Sequence, residues 1–224
     1  MSLVFPPLYA IIDAALLTTS ELSFAETMAE SGVELLQYRN KRATSRELFE
    51  ASQAISARLS RLSESGAYAP RFIVNDRADI ALLVNAHGVH VGQEDLSVEE
   101  ARTVVGRESW VGVSTHSLEQ LDAADQTSAN YIAFGPIFPT SSKENPDPVV
   151  GLELLREARQ HTRKPLVAIG GITLERAAET FRAGADSVAV ARDLIASADP
   201  AARARLYLRE AALARERDRE RAHE

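Results

Sequence analysis

The 224-residue chain has no cysteine, which excludes disulfides, thiolate metal sites, a thiol nucleophile and thiol redox chemistry, and fits a cytoplasmic protein. It also lacks any uninterrupted apolar run near the roughly 20 residues that cross a bilayer. The opening stretch "MSLVFPPLYAIIDAALL" has no basic start, contains Pro6-Pro7 and meets Asp13, so it reads as a lead-in and first strand rather than a signal sequence. An excess of positive charge is missing too. A net charge of −7 and a pI near 5.4 offer no general attraction to nucleic acid or to an anionic membrane. What is present is ordinary for a globular protein: 45% hydrophobic and 25% charged residues, enough for a full-sized core. The length suits one domain of the α/β-barrel kind.

Eight short segments rich in β-branched residues read as strands: "LYAIID", "ELLQY", "RFIVN", "GVHVG", "WVGVS", "YIAFG", "LVAIGG" and "SVAVA". Several are nearly continuous apolar runs, as parallel strands buried on both faces require. Between them lie helix-period stretches opened by capping residues: Ser45 with Glu47, Ser97 with Glu100, and Ser117 with Gln120. One of these stretches, "DRADIALLVNA", covers residues 76–86. Eight alternations of strand and helix predict a (β/α)₈ TIM barrel over residues 1–199. Residues 200–224, alanine-rich with alternating charge signs, read as a solvated helical extension of the same domain, held by intrahelical ion pairs and frayed at its end.

In barrels the working residues stand at the C-terminal ends of strands. The second strand ends in Gln37, Arg39 and Lys41, which alternate and so project to one side. The third ends in Asn75 and Asp76, the fourth in Gln93, Glu94 and Asp95. Asp76 and Asp95 each suit a helix cap; taken together beside a basic patch they suit a hard divalent ion that keeps waters and phosphate oxygens. His90 reads as a strand histidine with its hydrogen bonds satisfied. Ser114 ends the fifth strand without a nucleophile elbow, which assigns it hydrogen bonding rather than hydrolysis. "AIGGIT" after the seventh strand and the turn after "SVAVA" pair as a phosphate grip of backbone N–H groups and a short helix start. After the sixth strand, "GPIFPTSSK" offers Thr140, Ser141, Ser142 and Lys143 on the same rim.

The ordered set "QYRNK", "VNDRADIALLVNAHGVHVGQEDL", "VGVSTHS", "IAFGPIFPTSSK", "VAIGGIT" and "GADSVAVA" resembles the thiamine-phosphate synthase family across residues 8 to 199. The resemblance implies that a pyrimidine methyl diphosphate and a thiazole phosphate are joined, releasing diphosphate, with Mg²⁺ as cofactor. By the same resemblance, Gln37, Arg39, Lys41, Asn75, Ser114 and Lys143 hold the pyrimidine diphosphate. Arg39, Lys41, Ser114 and Lys143 carry the catalysis, and Asp76 and Asp95 bind the metal. Thr140, Ser142, Gly171, Ala191 and Arg192 hold the thiazole phosphate; the family commonly has serine where this chain has Arg192. The partners implied are small molecules, with no nucleic acid and no membrane, and a homo-oligomer is compatible with the sequence. The rival readings are a thiazole tautomerase of the same superfamily, a phosphosugar isomerase or epimerase, and a non-catalytic thiazole-phosphate-binding barrel; the two acidic residues favour the synthase.

Overall fold

The computed structural model describes residues 5–64, 69–140 and 147–221, with side chains described to residue 217. Eight parallel strands close into a barrel in sequence order. They are β1 (Leu8–Asp13), β2 (Leu35–Arg39), β3 (Arg71–Asn75), β4 (Gly88–Val91), β5 (Trp110–Thr115), β6 (Tyr131–Phe134), β7 (Leu166–Ile169) and β8 (Ser187–Val190). The β8–β1 pairing, Leu8 opposite Val188, completes the ring. Outside it run α1 (Glu21–Glu30), α2 (Ser45–Glu64), α3 (Ala78–Leu83), α4 (Val98–Val105), α5 (Leu118–Asp125), α6 (Gly151–His161), α7 (Leu174–Arg182), α8 (Arg192–Ile195) and α9 (Pro200–Arg221). Among the described residues no helix is long and apolar enough to cross a membrane.

Alternation along the strands divides the core into two shells. One shell lies between barrel and helices and includes Ile12, Met28, Phe72 and Phe134. The other fills the barrel and includes Tyr9, Ile11, Leu35, Ile73, Tyr131 and Val167. At the N-terminal floor Phe5 stacks on Trp110 with ring centroids 5.3 Å apart and tilts against Tyr131 at 5.2 Å. The Arg71 guanidinium covers the other ring contact, 4.5 Å from the Trp110 centroid. Gly112 makes the room: a Cβ there would stand 2.0 Å from Cζ of Tyr131.

Three expectations need correction. The capping residue of α2 is Thr44 rather than Ser45: its backbone N–H and hydroxyl both donate to Glu47 at 2.8 Å. The Ser97–Glu100 box and the Ser117 cap on Gln120 form as the spacing predicts. The helix expected over 76–86 shrinks to α3, because Asp76 takes a left-handed φ of 63° and belongs to the loop.

The third correction concerns α9, which is packed rather than solvated. The short α8 occupies the place after β8, so α9 serves as the outer helix between α7 and α1. Ala204, Tyr207, Ala211 and Ala214 share one helical face and are buried. The Arg215 guanidinium donates to the Phe5 carbonyl at 3.0 Å. Asp193 of α8 locks the helix in place, accepting from Nε and Nη2 of Arg203 at 2.9 Å and from the Tyr207 hydroxyl at 2.7 Å. Residues 222–224, at the end of the extension, lie outside the described residues.

Candidate active site

The inward positions turn from apolar to polar as the strands rise to their C-terminal ends. Gln37 donates its side-chain N–H to the Tyr9 hydroxyl at 2.7 Å, and Tyr9 and Tyr131 share a hydrogen bond of 2.8 Å between their hydroxyls. His90 continues the line, 3.1 Å from the Tyr131 hydroxyl through Nδ1 and 2.8 Å from the Ser114 hydroxyl through Nε2. Burial pushes both tyrosines above the ordinary phenol value, so they stay neutral and act as hydrogen-bonding groups. His90 is thus the satisfied strand histidine that the sequence suggests, and it also orients Ser114.

Above this chain lies a cavity of about 560 Å³, lined by the ends of β1, β2, β5, β6, β7 and β8. Of the residues expected at the site, Arg39, Ser114, Thr140, Gly171, Ala191 and Arg192 line it. Gln37 lies below, buried in the polar chain. Ser142 and Lys143 lie outside the described residues. Asn75 stands at the end of β3, level with His90 in the β3–β4 register.

Lys41, Asp76 and Asp95 form a separate cluster on the rim at the β2–β4 side. Lys41 Nζ is 3.1 Å from Asp76 Oδ2. Burial, and then a hydrogen bond with Asp95, hold the Asp76 carboxyl above the ordinary carboxylate value, while Lys41 pulls it down. Asp95 Oδ2 also accepts from the Gly92 N–H at 2.7 Å. Neither carboxylate is spent on a helix: α3 starts at Arg77 without a side-chain cap, and α4 is capped by Ser97. Among the described residues no group of three or more histidines, cysteines or carboxylates gathers as a metal cage. Two adjacent carboxylates, of which Asp95 raises the proton affinity of Asp76, nevertheless match a hard divalent ion that takes its remaining ligands from water and phosphate.

The opposite side of the mouth works through backbone. Gly170 and Gly171 follow β7 with φ of 96° and 63°. The loop after β6 is laid against them, with Ile137 N–H donating to Ile169 O at 2.8 Å and Phe138 N–H to Gly170 O at 3.0 Å. The approach is so close that a Cβ on Gly171 would stand 2.4 Å from the Pro139 carbonyl oxygen. Beyond them, β8 delivers Ala191 and the first residue of α8, Arg192.

Several site residues escaped the sequence reading. Asp13, only 3% exposed, ends β1 opposite Arg39 and pairs with its guanidinium at 2.6 Å. Its signal was present as a carboxylate in an apolar strand, in phase with the inward Tyr9 and Ile11. His116 lines the cavity, with Nδ1 2.6 Å from Gly135 O and Nε2 3.4 Å from Asp147. Arg176 and Arg203 also line it, and neither had a local motif to mark it.

Known proteins resemble this chain in sequence and fold. A family model for thiamine monophosphate synthase matches residues 8–194. A thiamine-phosphate synthase of Koribacter versatilis is 49% identical over 215 residues, covering 92% of this chain and 96% of that protein. Another, from Methanospirillum hungatei, is 38% identical over 201 residues, covering 89% of this chain and 95% of its own length. Among solved structures, thiamine phosphate pyrophosphorylase from Pyrococcus furiosus superposes with a TM-score of 0.81 at 30% identity, covering 93% of this chain and 96% of that one.

Proposed function

Since the chain belongs to the thiamine monophosphate synthase family, we propose that it joins a pyrimidine methyl diphosphate to a thiazole phosphate, giving thiamine phosphate and diphosphate. The observation that carries this reading is the convergence of Arg39, Ser114, Thr140, Gly171 and Arg192 on one cavity beside the Asp76–Asp95 pair. The cavity is large enough for two small substrates and polar at opposite sides.

The diphosphate leaves only if its growing charge is stabilised as it departs. Arg39 supplies part of that stabilisation, and its pairing with Asp13 fixes the plane of the guanidinium before substrate arrives. Lys41 adds an ammonium at the rim, and the family resemblance assigns the same role to Lys143. Mg²⁺, held by Asp76 and Asp95, would neutralise diphosphate oxygens when bound. Gln37 uses its amide N–H on Tyr9, which leaves its carbonyl oxygen as an acceptor for an aminopyrimidine. Ser114, oriented by His90, hydrogen-bonds the same ring. Thr140, Gly171, Ala191 and Arg192 hold the thiazole phosphate across the mouth, and the family resemblance assigns Ser142 to the same ligand.

The substitution is dissociative: the electron-rich pyrimidine carries the positive charge as diphosphate departs, and the thiazole nitrogen captures it. The barrel orients the two reactants and keeps water from trapping the cation. A tautomerase or a non-catalytic barrel would have use for the cavity but none for the acidic pair. The test is to mix both substrates with Mg²⁺ and follow diphosphate and thiamine phosphate together. Equal amounts of the two products, dependent on both substrates and on the metal, are expected; no thiamine phosphate from folded protein would overturn the reading.

A further inference from the structure

The cations around the cavity differ in what neutralises them. Arg39 is paired with Asp13, and Arg203 with Asp193 and Glu175. Arg176 is half-buried and lines the same cavity, yet it forms no ion pair among the described residues. Its described contacts are both neutral. Nη1 donates to the Gly171 carbonyl at 2.8 Å, and the guanidinium lies 4.5 Å from the centroid of the Phe138 ring. These contacts fix the side chain from two sides, one on the turn after β7 and one on the loop after β6. A guanidinium carries five donors in a rigid fork, and here one of the five is satisfied by the backbone. Holding such a group in place, partly withdrawn from water and with no counter-charge among the described residues, costs free energy that an anion in the cavity would offset.

We infer that Arg176 is a phosphate-recognition residue for the thiazole substrate, which it grips by its phosphate monoester beside Gly171. The inference rests on the reading of this cavity as the thiazole-phosphate site and adds to it a side chain with a fixed guanidinium. The position of Arg176 distinguishes the two anions. It stands with the glycine turn at the β6–β7 side, whereas the diphosphate is assigned to the side of Arg39, Lys41 and the acidic pair. Stacking on Phe138 also sets the plane of the fork before the ligand arrives, so little side-chain freedom is lost on binding.

Calorimetric titration of the whole chain tests this without requiring turnover. The ligands are the thiazole phosphate and the same thiazole as its unphosphorylated alcohol, added to the unaltered protein, Arg176→Gln and Arg176→Lys. The glutamine variant should bind the phosphate about 10-fold or more weakly, the scale of one hydrogen bond to a charged group, with alcohol binding unchanged. The lysine variant, which keeps the charge but loses the fork, should fall between the two and serves as the test if the glutamine variant does not fold. Phosphate affinity unchanged in a folded variant would overturn the inference. So would an equal loss for phosphate and alcohol, since that is the mark of a prop for the Gly171 turn. If condensation fails but phosphate binding still depends on Arg176, the reaction assigned above falls and this inference stands; if condensation proceeds and the variants bind normally, the reverse holds.

Discussion

The floor and the mouth of this barrel are built from the same eight strands, and they differ in how their side chains are held. At the floor, Phe5, Trp110 and Tyr131 fill space by stacked and tilted ring contacts. At the mouth, Asp13, Arg39, Lys41 and Asp76 are held by charge, and the glycine turn by backbone hydrogen bonds. Packing at one end supplies the rigidity that the other end uses to keep charged groups apart from their preferred hydration. Changes at the floor should therefore cost stability while sparing chemistry, and changes at the mouth should do the opposite.

The largest effect is expected from Phe5→Ala. Removing a buried ring from the floor should cost about 3 kcal/mol of unfolding free energy, read by urea denaturation, with kcat of the folded fraction unchanged. Asp76→Asn should lower turnover by about 100-fold, the scale of losing one pre-organised electrostatic group, with the melting midpoint nearly constant. If these two outcomes were exchanged, the division between floor and mouth would be wrong. Gly112→Ala sharpens the boundary. The added carbon would meet Tyr131 at 2.0 Å, which should cost about 1–3 kcal/mol and, by moving the hydroxyl shared with Tyr9 and His90, should also lower kcat.

The smallest effect concerns pH. Burial works against the charge on Asp193, but hydrogen bonds from Arg203 and Tyr207 prevail and hold its carboxyl below the ordinary carboxylate value. A lowered folded value means that the stabilisation is present at neutral pH and is lost as pH falls below about 4. Asp193→Asn should flatten that part of the melting-temperature profile by an amount equivalent to roughly 1 kcal/mol, the scale of one hydrogen bond. An unchanged profile would mean that the α9 latch contributes nothing measurable.

The barrel was legible in the sequence because most strands are short runs rich in β-branched residues and several helices, among them α1, α4 and α5, open on a capping serine. The glycine turn after β7 was legible for a related reason, since two adjacent glycines at a strand end have few uses. The Asp13–Arg39 pair was not, because the register that sets these residues side by side exists only once β1 and β2 are aligned. Helix α9 was misread because its buried face is three alanines and one tyrosine, which contrast weakly with the arginines around them. Arg176 looked like any arginine on a helix; its meaning depends on Phe138, 38 positions earlier in the chain, which no local spacing connects to it.

The Arg215–Phe5 hydrogen bond spans 210 positions, and its helix packs against the first strand and helices α1, α7 and α8. During synthesis β1 emerges well ahead of its β8 edge and of its outer covering, which follow it in the barrel sequence. Until then the growing chain carries an open sheet with two unpaired borders, the state most exposed to sticking to other nascent chains. Ring closure and helix docking therefore arrive together, and the last strand and helix of the barrel complete the enclosure of its first strand.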